Sequence, residues 1–556
     1  SVKLAGAANA NLCYANTLDP ALTAGKIVVC ERGVIARVDK SAEVKRAGGI
    51  GMVLVNVTPS SVDLDNHTVP TIHLDAQFHA ALMAYAAAPG ATATFMPGNM
   101  TGIEPPTPQV AGFSSRGPVL ADGSDILKPD ITAPGVAIIA DGANAEGGAP
   151  TFQFLSGTSM ATPHITGLAA LYLGKSPNAS PSEIKSAMMT TAYNTVDGNG
   201  APVTDPFIQG AGHVDPTKYF SPGLLYLNDL GDWNAYIEGI GYNVGVSPID
   251  PSNLNLASIA IGALTAPEMI TRTVTATQPG TFTPSVVLDG IDAVVSPTEL
   301  TFAAAGESKS YHVTFTRTTA PLDQFSTGYL TWTSGTTIVR SPIAIQPVTI
   351  VAPREVSGTG LSGTVGVTVT PGGAGDIPLS TTGLTAGTLQ IDPTHVIKGH
   401  SGLGSTGDEF QYVVSVPKGT VLARFDLDSI DNTADLDLTV YQLDKKKSPV
   451  AGWQSATSSA DERVDLYSPE AAKYLVIVSV YSANPTTAFD LRTFSVLQGG
   501  APLVLNPSVL PAQPGVPITY TASWSKLKAS TSYLGLVSYG GTTASTVISV
   551  NTGARG

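Results

Sequence analysis

Apolar residues follow three different rhythms along the chain. Through residues 25–30, 48–56 and 69–74 they gather into short runs set off by glycine, proline and polar turns, the pattern of strands. Residues 41–47 and 77–87 between and after these runs read as helices, so residues 1–100 predict a small α/β unit. From 246 onward the rhythm is alternation. Ile270-Thr271-Arg272-Thr273-Val274-Thr275-Ala276, Val313-Thr314-Phe315-Thr316 and Tyr329-Leu330-Thr331-Trp332 alternate in period two, with Arg272 the one charged residue on the apolar phase, and turn residues break the strands about every ten positions. That predicts a β-sandwich over 246–350. Beyond 351 a second sandwich, 351–404 and 499–556, reads as split by an inserted all-β unit over 405–498.

The middle stretch, 101–245, is organised around a helix. Ser156-Gly157-Thr158-Ser159-Met160-Ala161-Thr162-Pro163-His164 is a small-residue turn, and Ile165, Leu168, Ala169, Ala170, Leu171 and Leu173 then place apolar groups around most of the helical circumference. An all-round apolar helix is expected to be buried. Pro163 is expected in its first turn, where backbone N–H groups lack helical partners, and Gly174 as its stop. The Ser159 hydroxyl then stands where a buried helix begins, among free N–H donors and the positive end of the macrodipole, a place suited to stabilising an oxyanion. A second helix starts at Ser180-Pro181-Ser182-Glu183, read as a capping box, and continues through Ile184, Ala187, Met188 and Met189.

Bulk properties narrow the function. With 556 residues the chain needs several cores, and 57 glycines and 41 prolines with only 13% charged residues suit a turn-rich, β-rich protein. A net charge of −14 with no basic cluster argues against nucleic-acid and anionic-membrane partners. No apolar run reaches the roughly 20 residues of a membrane span. Ser1-Val2-Lys3 reads as a start within a longer protein, without initiator Met or signal peptide. The two cysteines, Cys13 and Cys30, form a disulfide suited to an oxidising compartment or remain two buried thiols. His67, His73 and His79 are read as surface or packing residues that do not form a ligand cluster.

Gly-Thr-Ser-Met-Ala-Thr-Pro-His, residues 157–164, resembles the nucleophile motif of the subtilases, the subtilisin-like serine proteases, with Ser159 in the nucleophile position. Phe-Ser-Ser-Arg-Gly-Pro at 113–118, Lys-Pro-Asp-Ile-Thr-Ala-Pro-Gly at 128–135 and the stretch from Gly210 to Tyr226 are similar to further family segments. Residues 25–33, 45–56 and 69–74 resemble the protease-associated domain inserted in plant-type and many bacterial members. Residues 246–350 resemble the fibronectin-III-like domain that follows the catalytic domain, and 405–498 resemble the pre-peptidase C-terminal jelly-roll. The resemblance implies a multidomain α/β plus all-β chain, with 101–245 as the C-terminal part of a subtilisin-like parallel-sheet domain. It implies that Gly157, Thr158 and Phe113 meet substrate, Phe113 on the leaving-group side. Asp130, His164 and His213 lie outside the family's triad contexts and are read as structural.

A serine hydroxyl needs an adjacent base, an orienting carboxylate and oxyanion donors. The family's D-[ST]-G, H-G-[ST] and A-G-N contexts are absent from this sequence, and Gly98-Asn99 lacks the flanking residues. The expectation is therefore a secreted serine endopeptidase that cleaves proteins or peptides through an acyl-enzyme at Ser159. Its Asp, His and Asn would lie on a separate N-terminal chain that is the principal partner, so that this chain alone is incomplete and inactive. The alternative is a non-catalytic secreted binding or adhesion assembly derived from a protease. The chemistry requires no cofactor. Asp431, Asp435 and Asp437 crowd one loop and strand start, where they either hold Ca²⁺ through oxygen ligands or stand as solvated turn carboxylates.

Overall fold

A computed structural model of the chain describes residues 7, 9–58, 60, 62, 65–96, 105–144, 147–391, 397 and 399–553. Ser1-Val2-Lys3 and Gly98-Asn99 lie outside these residues. The chain divides into two units, Ser1–Pro347 and Val348–Gly556.

In the first unit, α1 (Pro20–Thr23) leads to β1 (Ile27–Glu31), α2 (Arg37–Arg46), β2 (Gly51–Val55), β3 (Thr71–Leu74) and α3 (His79–Ala87). The three strands pair in parallel in the order β1-β2-β3. Only β2 is covered on both faces, as an apolar run in a parallel sheet requires; β1 buries Val28 and Cys30 on one face, and β3 leaves Ile72 44% exposed. Cys13, Val28, Cys30, Val44, Met52 and Leu54 form the core, and Cys13 and Cys30 are joined by a disulfide.

The following stretch departs from expectation. Its regular elements are a two-stranded antiparallel hairpin, β4 (Ile138–Asp141) with β5 (Phe152–Leu155), then α4 (Thr158–Lys175) and α5 (Pro181–Thr190). Among the described residues between 105 and 223 the parallel sheet expected for a subtilisin-like domain does not form. Its trace is one parallel bridge, Thr132 to His213, made by Thr132 N–H to Gly212 O at 2.9 Å and Val214 N–H to Thr132 O at 2.9 Å. A parallel strand needs neighbours delivered by crossover connections, and among the described residues of this stretch the crossover through α4 and α5 brings together only this one bridge.

A β-sandwich then follows. Strands β6 (Leu224–Leu225), β8 (Glu268–Ala276), β12 (Ser308–Arg317) and β10 (Ile291–Ser296) make one sheet. The other sheet runs β11 (Leu300–Phe302), β9 (Gly280–Leu288), β13 (Ser326–Ser334), β14 (Thr337–Pro347) and β7 (Ile259–Leu264). The alternating residues point inward as period two requires, and Tyr311 meets Trp332 edge to face at 5.0 Å in the core. Strand β6 ties the preceding stretch to this core. Beside it, Tyr226 is buried with its hydroxyl 2.8 Å from that of Tyr311, and Ser341 Oγ donates to Tyr226 Oη at 3.1 Å.

The described residues of the second unit form four sheets. Ile350–Val351, Gly363–Pro371, Ile518–Trp524 and Leu503–Asn506 make one, and a second sheet centred on Ser532–Tyr539 and Ser545–Asn551 shares a core with it. Strand Thr388–Leu389 and the strands between Gly402 and Val496 form two further sheets with a separate core that includes Phe425, Leu438, Val476 and Phe489. Arg424 links the two cores. Its guanidinium is buried and pairs with Glu355 at 2.8 Å and Asp465 at 2.7 Å.

Candidate functional site

The turn ahead of α4 is fixed by main-chain contacts. Gly157 N–H donates to Gly135 O at 2.8 Å, and Ala137 N–H donates to Ser156 Oγ at 2.9 Å. The approach is too close for a side chain: a Cβ on Gly135 would lie 2.9 Å from Gly157 O and 3.2 Å from Ala161 Cβ. Helix α4 starts at Thr158. Met160 and Ala161 turn their N–H groups back to Gly157 O at 3.0 and 3.3 Å. The N–H groups of Thr158 and Ser159 belong to the first turn, which lacks helical acceptors. Ser159 is exposed, with its hydroxyl at this donor-rich end.

Two expectations about α4 are corrected. Pro163 is the sixth helical residue, in the second turn. The N–H it lacks is the one that would have bonded Ser159 O, so that carbonyl has no i+4 donor. The helix is also far less buried than its apolar circumference predicts. Tyr172 is its one buried residue, while Leu171 is 62% exposed and Leu173 40%. One face does pack. Ile165, Leu168 and Ala169 lie against a cluster containing Val214, Tyr219, Ile184 and Met188, and Tyr219 Oη donates to Leu168 O at 3.2 Å. The opposite side has no covering layer among the described residues, because the sheet that would supply one does not form. The hairpin beside α4 shares this exposure, with Phe152 at 66% and Ile139 at 59%.

A cleft of 560 Å³ opens beside α4, lined by residues 107–114, 129–136, 157–165, Thr195 and His213 in part. Phe113, Gly157 and Thr158 all line it; Ser159 does not. His213, on the cleft wall, is fixed by its Nδ1–H donating to Val214 O at 3.0 Å and by Tyr193, whose ring centroid is 5.3 Å away. Burial lowers its pKa, with Val214 and Asp215 opposing. His164 Nδ1–H donates to Met160 O at 2.9 Å, one turn back along α4. Asp130 pairs with Lys128 at 2.7 Å and Lys185 at 2.9 Å. Burial pushes its pKa up, but the two lysines outweigh this and hold it below the usual range. Among the described residues no hydrogen bond joins Ser159 Oγ to a histidine or a carboxylate. The site offers a hydroxyl, two N–H donors and an apolar trough, and among the described residues no base reaches the hydroxyl.

Further contacts set the site's frame. Gly117 N–H donates to Phe207 O at 3.0 Å, and a Cβ there would lie 2.2 Å from Lys128 O. Gly212, at φ +121°, passes so close to Tyr193 that a Cβ would lie 2.2 Å from its carbonyl oxygen. Arg340 of β14 donates to Ala211 O at 2.7 Å and stacks on Tyr329, joining this frame to the sandwich. At Ser180 only half the expected capping box forms. Ser180 Oγ accepts from Glu183 N–H at 3.1 Å, but the Glu183 carboxylate accepts instead from Tyr172 Oη at 3.1 Å.

Outside the cleft, the candidate calcium residues Asp431, Asp435 and Asp437 are not gathered into one ligand set. Asp431 accepts from Thr433 N–H at 2.9 Å and Thr433 Oγ1 at 2.7 Å in a closed turn. Burial raises the pKa of Asp437, with Asp435 and Glu462 adding to the effect. The histidines also differ from expectation. His67 and His73 do converge, together with Asp65, and are the only set of three or more metal-capable side chains with ligand atoms within 4.8 Å of one another among the described residues. His79 instead meets Glu31 at 2.7 Å. The six-residue spacing of His67 and His73 carries no helical or strand signal of its own, which hid the pair.

Residues 36–212 match the model of the Subtilase family, and residues 253–345 match a Fibronectin type-III domain. Subtilisin-like protease SBT1.7 of Arabidopsis thaliana is 38% identical over 384 residues, covering 61% of this chain and 50% of that protein. The chain is homologous to plant subtilisin-like proteases. Subtilisin-like protease SBT1.4 of the same plant is 35% identical, over 62% of this chain and 50% of its own length. The chain thus spans about half the length of the curated relatives it matches. Among solved structures, the secreted serine protease VesC from Vibrio cholerae aligns at a TM-score of 0.14 and 10% identity, covering 42% of this chain and 48% of that one, a level that carries no argument. The subtilase match takes in α2 to α3 of the α/β unit, but not α1 or β1, as well as α4, and the fibronectin match covers β7–β13 and most of β14.

Proposed function

We propose that this chain is the nucleophile-bearing part of a secreted subtilisin-like serine endopeptidase. Ser159 Oγ attacks the scissile carbonyl and forms an acyl-enzyme, which water then hydrolyses. The Ser159 N–H donates to the oxyanion. The base, its orienting carboxylate and the second oxyanion donor, an asparagine, come from an N-terminal segment outside this sequence, held as a separate chain. Phe113, Gly157 and Thr158 line the substrate cleft, and residues 1–100 act as a protease-associated domain that contributes contacts rather than chemistry. The Cys13–Cys30 disulfide supports an oxidising, extracellular setting.

The observation that carries this reading is the state of α4. A helix that begins at the family's nucleophile motif has apolar residues on all sides, yet only one side is packed. An apolar surface next to a nucleophile that lacks its base is what a missing catalytic half would cover. The test is fluorophosphonate labelling of the protein isolated from its source. Labelling of this chain, abolished by Ser159→Ala, is expected, together with co-purification of a segment carrying Asp, His and Asn. Absence of labelling in that native assembly would sink the proposal and favour a binding assembly derived from a protease.

A further inference from the structure

We infer that Asp65, His67 and His73 form a Zn²⁺ site in the α/β unit, with one coordination position left to water. The Nε2 atoms of His67 and His73 face one another at 3.0 Å, and Asp65 Oδ2 lies 3.7 and 3.9 Å from them. Two imidazole nitrogens on a tetrahedral Zn²⁺, each bonded at about 2.0–2.1 Å, stand about 3.3 Å apart. The triangle therefore closes around an ion with shifts of a few tenths of an ångström. All three side chains are at least four-fifths buried: His67 is 8% exposed, His73 11% and Asp65 17%.

The site is held from behind. His73 sits in β3, paired in register with Leu54 of β2. The loop bearing Asp65 and His67 is tied to α2 at two points. Thr68 N–H donates to Ser41 Oγ at 3.2 Å, and Arg37 Nη2 donates to Asp65 Oδ1 at 2.9 Å. Arg37 Nε also lies 2.6 Å from Asp65 Oδ2, the oxygen nearest the two rings, so the guanidinium holds the carboxylate in place behind the site. A positioned carboxylate with a polar group behind it is the usual support for a metal ligand. A two-nitrogen, one-oxygen set suits Zn²⁺ and disfavours Ca²⁺ and Mg²⁺, which take oxygen ligands. The ion would clamp the 65–70 loop onto β3.

The test uses the untagged full chain, stripped with a chelator and titrated with Zn²⁺ by calorimetry and with Co²⁺ by visible absorption. The expected result is one saturable ion per chain with a d–d band of a low-coordinate nitrogen–oxygen site. His73→Ala and Asp65→Asn should each weaken binding by at least about tenfold, while His79→Ala binds as the parent does. Should His73→Ala lose its fold by circular dichroism, His67→Gln decides in its place. No saturable uptake, or uptake unchanged in the folded ligand variants, would overturn the site and leave a neutral imidazole pair joined by one hydrogen bond.

Discussion

In the sandwich of β7–β14, Val313, Phe315, Trp332 and Ile343 are all 0% exposed, whereas around α4 Leu171 is 62% exposed, Phe152 66% and Ile139 59%. Each sandwich strand finds its counterpart within the chain, because two sheets with alternating faces cover one another. Helix α4 and the β4–β5 hairpin find a counterpart on one side only. The difference separates two kinds of information in an apolar pattern. The pattern identifies residues that gain by burial, but whether they are buried depends on whether the same chain supplies the opposing layer.

If that account holds, the largest loss of stability comes from the closed region. Trp332→Ala removes the largest fully buried side chain and its edge-to-face contact with Tyr311. It should cost about 3–5 kcal/mol, read as a lower urea midpoint of the first unit. A cost below about 1 kcal/mol would mean that the sandwich is not the closed region described. Next comes the frame that carries the site onto the sandwich. Gly212→Ala puts a Cβ against Tyr193 O at a backbone angle of φ +121°, where L-residues are strained. The expected cost is about 1–3 kcal/mol, measured in the same way. A neutral result would show that the 193–213 pairing relaxes freely and does not hold the cleft wall.

The seam between the two regions should respond to pH. Asp125 Oδ1 accepts from Gly262 N–H of β7 at 2.8 Å, and Glu268 opens β8 nearby. Burial, then Asp250 and Asp125, push Glu268 up to about 7, and burial with Asp250 and Asp122 pushes Asp125 up to about 6. Both groups hold protons more tightly folded than unfolded. Their contribution is therefore fully present below their unfolded pKa values, near 4, and is lost as pH rises through about 6 to 7. The melting temperature should fall between pH 5 and pH 8, and Glu268→Gln should flatten that fall. A flat profile in the parent would mean that these buried carboxyls do not stabilise the seam.

How much of this was legible in the sequence varies with the kind of contact. Period-two stretches such as 270–276 and 329–332 appear as parts of β8 and β13, because alternation alone decides which face of a strand is apolar. The apolar run ending at Leu74 is likewise the strand β3, although its first residues, Val69 and Pro70, remain outside it. The helix read from Ile165 to Leu173 exists as α4, but its exposure was not readable, since periodicity is silent on what lies opposite. Local spacing makes Glu183 a cap residue, but a longer-range partner, Tyr172, takes its carboxylate. Asp65, His67 and His73 meet because a loop folds back over a strand, and neither composition nor periodicity reports that.

The smallest effect is the one that tests the comparison most directly. Leu171→Ala removes an apolar side chain that this chain leaves mostly in water, so in the isolated chain it should change stability by no more than about 0.5 kcal/mol. If the segment that completes the catalytic centre covers α4, Leu171 becomes a core residue of the assembled protein. The same substitution should then cost about 2–5 kcal/mol there. The two measurements share one side chain and one helix, so intrinsic helix propensity contributes equally to both and drops out of the difference. A small cost in both states would mean that α4 is a surface helix with an unusual composition, and the contrast with the sandwich would lose its cause. A cost that appears only in the assembled protein would identify this face of α4 as half of an interface core.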